Sequence, residues 1–164
     1  MSTRTVIKVV EKYLRLPQFT VSIRRDQTRN QYAYLLRRLC SLPYKDGTVG
    51  DIPTTKLKAS TCQELYYLMI EQSQGAGVRA ANYTVQVAVR AWNVLIKHDL
   101  LDKNPWSLVE RMQAAPRHTV WTNADFETIL KTAFAESKWR NVGLLIRINA
   151  ELGQRAGDMR LVQW

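Results

Sequence analysis

The sequence predicts an all-α protein. Three observations carry this. Apolar residues recur at helical spacing along most of the chain, cap and stop residues punctuate the periodic stretches, and the overall balance (46% hydrophobic, 23% charged) is that of an ordinary globular protein rather than a disordered one. At 164 residues the chain is long enough for one full domain and part of a second, with a buried core.

Taken in order, Val6, Val9, Val10, Tyr13 and Leu14 follow the i, i+3, i+4, i+7 pattern of a short first helix, which Pro17 interrupts. A second helix is expected over residues 26–42, with Tyr32, Leu35, Leu36 and Leu39 on one face and Arg25, Arg29, Arg37 and Arg38 elsewhere. Residues 43–53, with Asp46-Gly47 and Gly50 between two prolines, read as a loop or short hairpin. Thr61-Cys62-Gln63-Glu64 has the form of a capping box at the head of a third helix, which runs through Leu65, Leu68, Met69 and Gln72 to a stop at Gly75-Ala76-Gly77. The fourth helix, over residues 79–98, carries Ala81, Val85, Ala88, Val89, Trp92, Leu95 and Ile96 on a broad apolar face. Asn104-Pro105 ends this unit, followed by a short helix over 106–112.

A linker is then expected over 113–121, containing Pro116 and Arg117. A second unit starts at Thr122-Asn123-Ala124-Asp125, another cap with an acid at the third helical position. Helices are expected over 123–136 and 138–152, the latter with Leu144, Leu145, Ile148 and Leu152 as its core stripe. Gly153 breaks it, and a last helix begins near Ala156. The resulting division is residues 1–112, a linker at 113–121, and residues 122–164.

The net charge is +10 and it is uneven: residues 1–60 hold twelve Lys/Arg against four Asp/Glu. Such a bias attracts polyanions and speeds their capture. The two cysteines, Cys40 and Cys62, make no disulfide framework and suit a reducing compartment. With only His98 and His118 there is no zinc-like spacing, and no metal is expected. The opening Met1-Ser2-Thr3-Arg4 and the alternating charge after it contain no uninterrupted apolar run, so neither a secretory leader nor a membrane partner is expected.

The fourth helix carries the most information. Arg79, Asn82, Gln86, Arg90, Asn93 and Lys97 fall within an arc of roughly 80° on the side away from its apolar face. Arg forks onto guanine or clamps phosphate, Asn and Gln pair with adenine, and Lys meets phosphate as a point charge, so this row has the chemistry of a major-groove reader. The plainer reading is the solvated face of an amphipathic helix. The row has three cations and no acid, whereas a generic surface mixes signs, and this tips the balance toward double-stranded DNA. The other basic residues, among them Arg24, Arg25, Arg29, Arg37, Arg38, Lys45, Lys56 and Lys58, are not sorted by sequence into phosphate contacts and merely solvated ones. Trp92 and Trp106 read as core residues rather than stacking platforms.

The C-terminal run from Leu152 to Trp164 places a glycine at a helix end, an arginine two residues on and an acid three beyond that. This segment resembles the first conserved box of the tyrosine recombinase (phage integrase) family. Gly153, Arg155, Asp158 and Trp164 match its pattern, Gln154 occurs in a subset of phage integrases, and Leu152 stands where many members carry Thr. The long helix ending at Asn104-Pro105, and Trp121-Thr122-Asn123-Ala124-Asp125 after the linker, resemble the same family in the same order.

The resemblance implies a SAM-like helical core-binding domain at 1–112, the first helices of a catalytic domain at 122–164, and a cytoplasmic setting. It makes Arg155 the first catalytic arginine, binding the scissile phosphate and stabilising charge on its non-bridging oxygens, with Asp158 steadying the structure around it. The parent reaction would be site-specific DNA integration or recombination through a phosphotyrosyl link, with no cofactor. The family also needs a lysine, a His-x-x-Arg box and a nucleophilic tyrosine, all downstream of that arginine. Here every tyrosine precedes Arg155, so the 164 residues by themselves are expected to bind DNA without cleaving it. Incomplete packing of Leu144, Leu145, Ile148, Leu161 and Trp164 is expected to leave an adhesive surface through which copies associate. A stand-alone helical DNA-binding regulator or protein-interaction adaptor is the competing reading.

Overall fold

The computed structural model describes residues 4–72, 77–115 and 122–153. They fall into two compact units, residues 1–115 and 116–164. The protein is all-α: among the described residues the sheet content is a single two-stranded hairpin.

The first unit contains α1 (Val6–Tyr13), α2 (Pro17–Thr20), α3 (Asp26–Cys40), α4 (Ala59–Glu71) and α5 (Gly77–Lys97). α1 buries Val6, Val9, Val10 and Tyr13, the positions that its spacing selects. Pro17 interrupts that helix and opens the next one: it sits at the first position of α2, where its missing N–H is no loss. Phe19 of α2 meets the Tyr13 ring edge-on at 5.3 Å. The chain start is stitched into the unit, because the Val6 N–H donates to the Ile52 carbonyl and the Thr54 N–H to the Arg4 carbonyl, each at 2.9 Å. α1 is therefore part of this core.

α3 turns Leu35, Leu36, Leu39 and Cys40 inward. Residues 43–48 form the hairpin, β1 (Pro43–Tyr44) against β2 (Gly47–Thr48), with Lys45 at φ 52° in its turn. The 3-10 turn Val49–Asp51 follows, and Gly50 in it is pressed against the helices: a Cβ there would stand 3.0 Å from the Cys40 carbonyl oxygen and 3.2 Å from the Ile7 Cβ.

Two sequence expectations change in this unit. α4 starts at Ala59 with Lys58 as its N-cap, so Thr61 lies inside the first turn and caps nothing. Leu57, only 2% exposed, is drawn into the core and the chain turns into helix just after it. Glu64, free of the cap, accepts the Tyr44 hydroxyl at 2.7 Å. Residues 106–112 are not an α-helix either: a 3-10 turn covers Pro105–Leu108 and the chain then continues without regular secondary structure. The Gln63 amide takes both main-chain groups of Glu110, at 2.9 and 3.2 Å, groups that a continuing helix would need for itself.

α5 is the central helix, meeting α1, α3 and α4. Ala81, Val85, Ala88, Trp92 and Leu95 are buried, together with Thr84, Val87 and Ala91 at the flanks. Asn104 caps the 3-10 turn through the Trp106 N–H at 3.1 Å and donates to the Val89 carbonyl at 3.0 Å. This holds Trp106 edge-on to Trp92, with ring centres 6.0 Å apart.

The second unit is a helical hairpin, α6 (Asn123–Ala135) and α7 (Arg140–Leu152), joined through the 3-10 turn Ser137–Trp139. The capping box at Thr122 and Asp125 forms as expected, with the Thr122 N–H donating to the Asp125 carboxylate at 2.9 Å. Hydrogen bonds from Thr122 hold that carboxyl below its usual range. Gly153 ends α7 at φ 62°, the left-handed geometry that favours glycine. The helices meet at Gly143, where a Cβ would stand 3.0 Å from that of Ala133. The expected core stripe of α7 is only partly covered. Leu145 and Ile148 are half-buried, whereas Leu144 and Leu152 are 46% and 58% exposed. One facing helix covers one strip of α7, and Gly143 occupies the centre of that strip. Of the expected stop Gly75-Ala76-Gly77, the first two residues lie outside the described residues, as does the helix near Ala156. α4 ends at Glu71, and Gly77, at φ 46°, is the first residue of α5.

Candidate nucleic-acid interface

The outer side of α5 carries the row of six polar residues, and the structure divides it. Arg79 donates to the Ala115 carbonyl at 2.8 Å. Asn82 accepts the Tyr66 hydroxyl at 2.8 Å and donates to the Met112 carbonyl at 2.9 Å. The Tyr66 oxygen in turn accepts the Met112 N–H at 2.8 Å, so these three groups clip residues 109–115 onto α4 and α5. Asn93 accepts from the Asn104 amide at 2.7 Å. Gln86, Arg90 and Lys97 are exposed, with no ion-pair partner among the described residues. The row thus has a share bonded to the following segment, of which Arg79 and Asn93 are still exposed, and a second share, one amide and two cations, with no acid anywhere on α5.

The structure also sorts the scattered arginines. Arg37 pairs with Glu11 at 2.9 Å, which raises its own affinity for protons and lowers that of Glu11 through the hydrogen bond between them. Arg29 is bound to Asp26 and donates to the Ile23 carbonyl at 2.5 Å. Arg24 and Arg25 are exposed and have no ion-pair partner among the described residues. They join Arg90 around an open concavity that Ser22, Ile23, Thr28 and Tyr32 complete. The pattern of basic residues in the sequence does not bring 24–25 and 90 together; the α1–α3–α5 packing does.

Other chemistry has little support here. Cys40 and Cys62 are free and buried, and burial pushes both thiols up to about 12, so neither is a ready nucleophile. Among the described residues no three His, Cys, Asp or Glu side chains gather as a metal site needs, and no helix is long and apolar enough to cross a membrane. Arg155 and Asp158 lie outside the described residues.

No protein-family model and no curated protein sequence matches the chain. Among solved structures it is similar to the Tn1549 transposon integrase. Against that integrase in complex with a circular intermediate DNA, the TM-score is 0.64 at 19% identity, over 93% of this chain and 46% of the other. Against the same integrase with transposon right end DNA, it is 0.61 at 20% identity, over 92% and 45%. The chain thus spans less than half the length of the solved integrase chains that it matches. The fold of the described residues, the α5 row among them, is thus similar to that of the solved integrase chains.

Proposed function

We propose that this chain grips double-stranded DNA as part of a site-specific recombinase of the integrase kind, acting in DNA integration and recombination. The observation that carries the reading is the outward face of α5: Gln86, Arg90 and Lys97 project from a helix whose other side is locked in the core. A rigidly mounted row of this chemistry suits contacts with phosphates and base edges. The fold supports the reading, since its solved counterparts are integrases in complex with DNA.

In this reading residues 1–112 hold the duplex and 113–121 link them to residues 122–164, which begin the catalytic domain. Arg155 binds the scissile phosphate and stabilises negative charge developing on it. An arginine supplies that charge but neither attacks nor protonates, so strand cleavage requires a nucleophile and proton donors besides it. The exposed Leu144 and Leu152 of α7 give the second unit a surface for self-association.

The test is fluorescence anisotropy of a labelled duplex against salt. Binding should weaken steeply as salt rises, by a factor of about 3.5 for each phosphate contacted between about 50 and 200 mM. Absence of binding at low salt, or binding indifferent to salt, would remove DNA from the account.

A further inference from the structure

The concavity between the start of α3 and the middle of α5 is lined by Ser22, Ile23, Arg24, Arg25, Thr28, Tyr32 and Arg90. Three of these residues are cations and none is an acid. Arg25 is also the N-cap of α3, a fifteen-residue helix, and makes no side-chain capping bond. Helix starts ordinarily carry Ser, Thr, Asp or Asn, because the helix dipole is positive there and the first N–H groups lack acceptors. Two consecutive arginines at such a position are mutually repelled and repelled by the helix. Asp26, the acid of the first turn, is taken up by Arg29 and leaves that excess in place. An anion seated in the concavity relieves it.

A second observation comes from beneath. Tyr13 is completely buried, and its hydroxyl has no hydrogen bond of regular geometry. Burial pushes the Tyr13 phenol up, and Arg90 pulls it back down through its charge and a side-chain hydrogen bond. A tyrosine oxygen is a good acceptor for an arginine N–H, and a buried polar atom left without a regular partner is uncommon.

We infer that this concavity is a seat for one phosphodiester of bound DNA, clamped by Arg24 and Arg25 from the α3 side and by Arg90 from α5, with Tyr13 a positioning residue that fixes Arg90 from below. The inference rests on the DNA-binding reading and deepens it. It assigns a role to α1, joins two arginines that the sequence leaves unsorted to a member of the α5 row, and gives the row a fixed register on the backbone.

The experiment measures duplex affinity against salt for the full chain and four variants: Arg24→Ala/Arg25→Ala, Arg90→Ala, Tyr13→Phe, and Tyr13→Phe/Arg90→Ala. The double arginine variant should lower the magnitude of the log–log salt slope by about 0.9, so that its deficit shrinks roughly 3.5-fold between about 50 and 200 mM. Tyr13→Phe should weaken binding in the parent chain and add nothing once Arg90 is alanine, a coupling that a general loosening of the core does not produce. Inorganic phosphate serves as the control probe. Saturable phosphate binding abolished by the arginine changes, with duplex affinity untouched, would assign the seat to free phosphate and overturn the inference. Normal duplex binding with an unchanged slope in Arg24→Ala/Arg25→Ala would overturn it while leaving the DNA reading intact. Failure of the parent chain to bind duplex would overturn both.

Discussion

Replacing Trp106 with alanine is expected to destabilise the first unit by about 3–5 kcal/mol, the range for removing a large aromatic side chain from a filled core. Trp106 is 1% exposed and lies edge-on to Trp92, also 1% exposed, so truncation opens a cavity beside α5 and removes a favourable ring pair. Its neighbour Asn104 joins the turn to the Val89 carbonyl and to Asn93, so the loss propagates to the outer side of α5. Urea unfolding followed by tryptophan fluorescence and by circular dichroism measures the effect. A cost below about 1 kcal/mol would mean that the Asn104-Pro105-Trp106 corner is not the lock described here.

The second large effect concerns binding. Arg90→Ala/Lys97→Ala is expected to lower the magnitude of the salt slope by about 0.9 to 1.8. Lys97 accounts for one phosphate, and Arg90, which shares its phosphate with Arg24 and Arg25, for up to one. The duplex-binding deficit of the variant should then shrink about 3.5- to 12-fold between about 50 and 200 mM salt. Both side chains are exposed and neither has an ion-pair partner among the described residues, so the fold should persist, at a modest cost in stability from the buried Tyr13 hydroxyl that loses Arg90 beside it. Gln86→Ala in the same assay should leave the slope alone, because an amide releases no counterion. An unchanged slope in the double variant, with circular dichroism like that of the parent, would take both cations out of the interface.

Local chemistry was readable from sequence wherever neighbours in the chain decide the outcome. The apolar face of α5, the inward set of α1, the Thr122–Asp125 box and the Gly153 stop depend on spacing within a few residues, and they form as expected. The failures all involve partners distant in sequence. Thr61 has the residues of a cap, yet burial of Leu57 sets where α4 begins. Residues 106–112 lose helix because Gln63, nearly fifty positions earlier, claims the Glu110 main chain.

The candidate interface divides along the same line. Helical periodicity places six polar residues on one side of α5, but it does not reveal that Asn82 is satisfied by Tyr66 and Met112, or Asn93 by Asn104. Nor does it show that Arg24 and Arg25 face Arg90. Charge patterning states that a polyanion is wanted, and tertiary packing decides which cations meet it.

The central claim is that duplex DNA lies along the outward side of α5, and amide chemical-shift mapping with a titrated duplex tests it most directly. Gln86, Arg90 and Lys97 should move together with the segment 22–28, while the clipped residues 109–112 and the buried face of α5 stay still. Shifts confined to α6 and α7, or scattered evenly over every lysine and arginine, would contradict the account.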